Sequence, residues 1–242
     1  LTVVHEIFKR LPRERIVYFG DTARVPYGTK SPRVVEQFAR EDIFFLLNKN
    51  VKLVVAACHT VSSVALDGLI STLHLPILGV VDPGVKAALS ATRNNRVGII
   101  GTRATVMSGT YEAKMGRANR EIQVFTRACP LFVPLAEEGW LESDVTHQVA
   151  RIYLEPLQDA GIDTLILGCT HYPLLKQVIR RAVGDGVTII DSAEETAKQV
   201  AKRLRLLDML NDRKEVPAHS FYVSDIPHQF QEVGERFLGT RL

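Results

Sequence analysis

Two cysteines stand in matching surroundings. Cys58 closes the run Lys52-Leu-Val-Val-Ala-Ala-Cys58 and is followed by His59 and Thr60; Cys169 closes Thr164-Leu-Ile-Leu-Gly-Cys169 and is followed by Thr170 and His171. A free thiol has a pKa of about 8.5, and the positive end of a helix dipole favours its thiolate. At the start of a helix each thiol therefore reads as an acid, a base or a nucleophile near neutral pH, with its pKa expected to fall. Two such thiols on opposite sides of a cleft suit a reaction that takes a proton from one face of a carbon and returns one to the other. His171 reads as a proton donor, or as a charge that favours the thiolate. Free cysteine is among the most buried residue types, so either one alone reads as packing; the pair at equivalent positions reverses that reading. Cys129, before Pro130 and outside the pattern, reads as structural.

A metal centre competes for the same residues, because Cys58, His59, Cys169 and His171 make up a Cys2His2 set. Neither the C-x2-4-C nor the H-x3-5-H ligand spacing is present, so no metal is expected. A thioredoxin-like role fails for want of a C-x-x-C pair. Two polar loops add candidates: Asp21-Thr-Ala-Arg-Val-Pro26-Tyr27-Gly28, and Ala136-Glu137-Glu138-Gly139. Taken alone, the first reads as an ordinary turn and the second as a solvated carboxylate.

The elements that must position these groups follow from hydrophobic patterning. Short Val/Ile/Leu runs at 16–19, 51–57, 77–81, 96–100, 123–126, 164–167 and 187–190 alternate with amphipathic stretches, notably 32–48 and 143–160. That alternation predicts an α/β fold with mostly parallel strands buried on both faces. Ligands in such sheets collect beyond the carboxyl ends of the strands, where both cysteines lie. The layout repeats: Asp82 follows Cys58 by 24 residues and Asp191 follows Cys169 by 22. Two pseudo-symmetric halves are therefore expected, with the site in the cleft between them. The second copy opens with the strand at 96–100 and the Gly101-Thr102 turn. Its counterpart in the first copy is expected before Leu1, since the chain opens inside an amphipathic stretch (Leu1, Val4, Ile7, Phe8, Leu11). At the far end, Phe221-Tyr-Val-Ser-Asp-Ile-Pro and the stretch through Phe230 and Phe237 read as a last strand and helix packing back onto the first half, with a purely structural role.

The 242 residues are 46% hydrophobic and 24% charged, a globular balance. A net charge of +3 from scattered basic residues offers no footprint for nucleic acid. No apolar run approaches the roughly 18 residues that span a bilayer. Three cysteines at wide spacing read as reduced thiols in a cytoplasmic protein.

Together these residues carry a family resemblance. The stretches Gly20-Asp-Thr-Ala-Arg-Val-Pro-Tyr-Gly28, Ala57-Cys-His-Thr60, Val97-Gly-Ile-Ile-Gly-Thr102, Cys129-Pro-Leu-Phe-Val-Pro-Leu-Ala-Glu137 and Leu167-Gly-Cys-Thr-His-Tyr-Pro-Leu-Leu175 resemble the glutamate racemases of the aspartate/glutamate racemase superfamily. His171 stands where aspartate-specific members carry an acidic residue, which favours glutamate. The resemblance implies two α/β domains, residues 1–92 with 192–242 and residues 93–191. It implies that Cys58 takes the α-proton of D-glutamate and Cys169 that of L-glutamate, with His171 and Glu137 assisting. Pro26, Tyr27, Gly28, Thr60, Thr102 and Thr170 would line the substrate site, joined by His59 where the family usually has Asn. It further implies a homodimer that supplies D-glutamate for peptidoglycan without a cofactor; no lysine motif suggests pyridoxal phosphate. The family's opening strand carries an Asp-Ser-Gly turn, placed by the resemblance before Leu1. Other readings of the same residues are a racemase for a different amino acid, a binding protein that keeps the cleft, and a thiol-ligated metal protein.

Overall fold

The computed structural model describes residues 1–71 and 73–239, so the stretch expected to run to 242 is described to 239. Helix α1 (Thr2–Arg10) leads into strand β1 (Val17–Gly20), 3-10 turns at Thr22–Arg24 and Tyr27–Thr29, and α2 (Pro32–Leu47). Then come β2 (Val54–Ala56), α3 (His59–Val64), α4 (Leu66–Ile70), β3 (Ile77–Gly79) and α5 (Val81–Ala91). The middle of the chain forms β4 (Arg96–Gly101), α6 (Arg103–Met107), α7 (Thr110–Ala118), β5 (Gln123–Ala128), α8 (Phe132–Glu137), α9 (Asp144–Asp159) and β6 (Thr164–Gly168). A 3-10 turn (Tyr172–Leu175), α10 (Lys176–Val183), β7 (Thr188–Asp191), α11 (Ser192–Leu206), β8 (Ser220–Val223) and α12 (Pro227–Leu238) complete it. Among the described residues no helix is long and apolar enough to cross a membrane.

The fold is α/β with parallel strand pairing, in two lobes. In the second lobe β5, β4, β6 and β7 lie side by side in that order, all parallel. Successive side chains of a strand point to opposite faces. Val97 and Ile99 of β4 and Ile166 of β6 accordingly pack under α5 and α7 with Val85, Tyr111 and Met115. Ile100, Leu165 and Leu167 face the other way, onto Leu154 of α9 and Ile179 of α10. The sheet is thus buried on both faces, which is why its strands read as unbroken apolar runs.

The first lobe repeats the plan with different pairing. β1 pairs with β8 and β2 with β3, in separate parallel two-stranded sheets. Val35, Ala39 and Ile43 set the inner stripe of α2, whose first turn is started by Pro32 at the position where a missing N–H costs nothing. They pack with Val54, Leu66, Leu69 and Ile77 on one side. On the other, Val3 and Ile7 of α1 meet Ala197, Val200 and Leu204 of α11. Among the described residues β2 pairs only with β3, and that ladder covers Val54–Ala56, less than the apolar run 51–57. As expected, β8 and α12 return to the first lobe. Helix α5 packs on the sheet of the second lobe and also against α11, so these two helices stitch the lobes together.

Gly168, the last residue of β6, is set by close approach. A Cβ there would sit 2.5 Å from the Ile100 carbonyl oxygen of the neighbouring strand. Gly168→Ala must push β6 from β4 in a fully buried ladder, and overpacking of this kind costs roughly 1–3 kcal/mol. A thermal melt should fall by several degrees; an unchanged midpoint would show that the ladder has slack.

Candidate active site

The carboxyl ends of β2 and β6 deliver the two thiols. Cys58 is the residue before α3, and Cys169 follows Gly168 directly. Cys169 is buried at 7% exposure, Cys58 is half-buried, and all three cysteines are free thiols. The two sulfurs lie close enough that negative charge on Cys169 raises the pKa of the Cys58 thiol. Cys129 is fully buried at the end of β5, where its carbonyl accepts a hydrogen bond from Tyr172 Oη at 2.8 Å. Tyr172 packs edge-on against Phe132, so the turn after Cys169 is pinned to α8.

Each thiol has its own partners. His171 Nδ1 lies 3.7 Å from Cys169 Sγ, and His171 Nε2 lies 2.9 Å from Glu137 Oε1 at the end of α8. Sulfur, imidazole and carboxylate thus form one line of contacts, with Glu137 at its more exposed end. Burial opposes a charged imidazole, but the hydrogen bonds to Cys169 and Glu137 outweigh it and carry the His171 pKa up to about 9. Across the cleft, burial pushes the Cys58 thiol up, against the pull of the Val61 and Thr60 backbone N–H groups and the Thr60 hydroxyl. This corrects the expectation that the helix start lowers it: α3 spans only His59–Val64, and desolvation wins over its dipole. Tyr18 on β1, pushed up to about 12 by burial and by the charge of Cys58, is a neighbour of that thiol.

Of the residues expected to line the site, Gly28, Thr60 and Thr102 meet between the lobes. Thr60 Oγ1 lies 3.1 Å from Thr102 Oγ1, a hydroxyl contact that joins the first turn of α3 to the N-cap of α6. Thr102 also accepts from the Thr105 N–H at 3.2 Å. Gly28 presses on Thr102 so closely that a Cβ would fall 2.8 Å from the threonine's own Cβ. The carbonyl of Thr170 accepts from Thr2 Oγ1 of α1 at 2.8 Å. Pro26 is exposed, whereas Tyr27 is buried, with its hydroxyl on Asp21 and near Asp42 and not on the cleft. His59 is 2% exposed, neither ring nitrogen finds a partner among the described residues, and burial lowers its pKa to about 3. It is neutral at physiological pH, with unspent hydrogen-bonding capacity beside Cys58.

A family model described as Asp/Glu/Hydantoin racemase matches residues 2–200. The chain belongs to that family. A curated glutamate racemase of Geobacter metallireducens is 53% identical over 242 residues, covering 100% of this chain and 90% of the relative. One from Neisseria meningitidis is 50% identical over 240 residues, 99% of this chain and 88% of the relative. Among solved structures, a glutamate racemase of Bacillus anthracis superposes with a TM-score of 0.96 at 38% identity, over 100% of this chain and 90% of that one. The glutamate racemase of Francisella tularensis in complex with D-glutamate gives 0.92 at 38% identity, with the same coverage. This member of the family thus shares the two-lobed fold of those enzymes along its whole length.

Some contacts at the site carry no local signal in the sequence. Phe237 of α12 meets the His171 ring edge-on at 5.0 Å, and Arg236 donates to the Glu137 carbonyl. The terminal helix therefore touches His171 and Glu137 as well as packing on the first lobe. An amphipathic stripe announces a buried face without saying whose residues it will meet. Asp42 likewise sits mid-helix in α2, where a carboxylate reads as solvated.

Proposed function

We propose that this protein is a glutamate racemase working by two-thiol proton transfer. The observation that supports the reading is the pair of thiols at equivalent strand ends, near enough for the charge of Cys169 to act on Cys58, with Thr60 hydrogen-bonded to Cys58 and in contact with Thr102. In this mechanism Cys169 thiolate removes the α-proton of L-glutamate, the C–H electron pair passing to the α-carbon. The Cys58 thiol then gives its proton to the opposite face, yielding D-glutamate and a Cys58 thiolate. The reverse reaction exchanges the roles. The high thiol pKa of Cys58 keeps it protonated at neutral pH, ready as the acid of the L-to-D direction. His171, charged at neutral pH, faces Cys169 and passes protons between it and Glu137.

An α-proton beside a carboxylate is very weakly acidic, so donors fixed in advance must hold the developing charge while water is kept out. The Thr60, Thr102 and Thr170 hydroxyls, neutral His59 and the backbone of residues 26–28 supply such donors and acceptors. The reaction as proposed needs no cofactor. The same reading assigns residues 1–92 with 192–242 to one domain and 93–191 to the other. It makes the protein a cytoplasmic homodimer supplying D-glutamate to peptidoglycan, and sedimentation at graded concentrations tests the dimer.

The deciding experiment is incubation with L-glutamate in deuterium oxide, with chelator and without added cofactor, following circular dichroism and α-hydrogen exchange. Decay of the optical signal together with deuterium at the α-carbon supports the reading. Faster turnover of L-aspartate would move the assignment to another amino acid, and binding without exchange would make the protein a glutamate binder.

A further inference from the structure

We propose that Arg24 and Asp42 are positioning residues for substrate, holding the backbone of Pro26–Gly28 against Thr102 through the Tyr27 side chain. The inference rests on the racemase reading above. Arg24 sits at the centre of the arrangement. Its Nε donates to Asp21 Oδ2 at 2.7 Å, its Nη2 to Asp42 Oδ1 at 2.8 Å, and its Nη1 to Glu41. The guanidinium also lies 4.2 Å over the Phe38 ring of α2. Tyr27 Oη donates to Asp21 and lies 3.2 Å from Asp42 Oδ2. The Asp21 side chain is 6% exposed and takes a further hydrogen bond from Ser224 Oγ at 3.0 Å, which brings in the end of β8. One buried phenol is thus fastened to two carboxylates that a fork-shaped cation holds together, and three elements are tied together behind the loop.

The loop's other side meets the second lobe. Gly28, one residue beyond Tyr27, packs on Thr102 with no room for a Cβ. A phenol turned away from the cleft leaves the loop's backbone as its surface toward substrate, and the depth of that surface is set by how the phenol is held. Donors held in place in advance favour binding because less ordering has to occur when substrate arrives. The groups facing Asp42 are Arg24, Asp21 and Tyr27 from the loop and Glu41 from its own helix. Burial and the charge of Asp21 push its pKa up to about 6, against the pull of Arg24. Below that pH the carboxylate is neutral and its charge pair with Arg24 is lost.

The test uses the whole protein with Asp42→Asn and, as a milder change that keeps the charge but loses the fork, Arg24→Lys. Both should raise KM for L- and D-glutamate roughly tenfold with kcat within about threefold, because the thiols are untouched. Wild-type KM should rise as pH falls through about 6, and Asp42→Asn should flatten that limb. Hydrogen exchange without substrate gives an independent readout. The Lys30 amide, bonded to the Tyr27 carbonyl at 3.1 Å, should exchange faster in both variants while β4 and β6 stay protected. Unchanged exchange at Lys30, or faster exchange with unchanged KM, overturns the inference. A wild-type protein that does not turn over glutamate overturns the functional reading itself, and this is seen before any variant is compared.

Discussion

Cys169→Ala is expected to lose interconversion of both enantiomers of glutamate, by roughly 10⁴-fold, the upper end for removal of a positioned base. Cys58→Ala should do the same. The equality follows from the reaction: inversion needs a proton taken on one face and another delivered on the opposite face, so either missing thiol blocks both directions. What survives is the informative part. Cys169→Ala keeps the thiol that attacks D-glutamate and should still wash deuterium into D-glutamate with retention of configuration. Cys58→Ala should show exchange with L-glutamate alone. The folds should hold, since each substitution removes one sulfur from a site at the lobe interface. Near-wild-type racemisation by either variant would discard the two-thiol mechanism. Exchange with the opposite enantiomer would exchange the two assignments.

His171→Ala should lower kcat about 10²- to 10³-fold with a much smaller change in KM, because the ring is aligned with Cys169 and Glu137 as a proton relay. The state of the ring can be read directly. With its hydrogen bonds to Cys169 and Glu137 outweighing burial, His171 should titrate near pH 9 by NMR, well above an ordinary histidine at 6.5. Glu137→Gln removes the carboxylate charge and should bring that value down. The shift is also a statement about stability. A histidine whose pKa is raised on folding contributes stability that is complete below its unfolded pKa of about 6.5 and is lost as pH rises through about 9. Wild type should therefore lose its stability margin over Glu137→Gln across that interval. A flat difference between the two melts from pH 6 to 10, or a kcat for His171→Ala within twofold of wild type, would remove the relay from the mechanism.

Much of this architecture is legible in the residues because buried strands need unbroken Val, Ile and Leu. The runs at 96–100 and 164–167 became the adjacent strands β4 and β6, buried from Val97 to Gly101 and from Thr164 to Gly168. The cysteines are legible for a related reason: each ends such a run, and the ends of parallel strands converge on one edge. What stays hidden is whatever depends on distant chain. Tyr27 reads as a loop aromatic near substrate, yet its hydroxyl turns to Asp21 and to Asp42 in the next helix. Phe237 carries no sign of the ring it meets, which lies in the other lobe. Cys58 shows the limit of local electrostatics, since a six-residue helix does not offset the loss of water around a thiol.

The parallel pairing of β1 with β8 has a bearing on how the protein is made. Thr22 and Asp225, bonded at the end of that pair, are 203 residues apart in the chain. The four-stranded sheet of the second lobe, by contrast, is complete at Asp191. During synthesis that sheet can close on the ribosome while β1 has already emerged and still lacks its partner. Closing a loop of about 200 residues costs only about 2 kcal/mol more entropy than closing one of about 20. The burden is therefore one of waiting and not of energy. Through that interval the growing chain carries an unpaired strand edge, the kind of surface that chaperones bind and that aggregates when translation stalls.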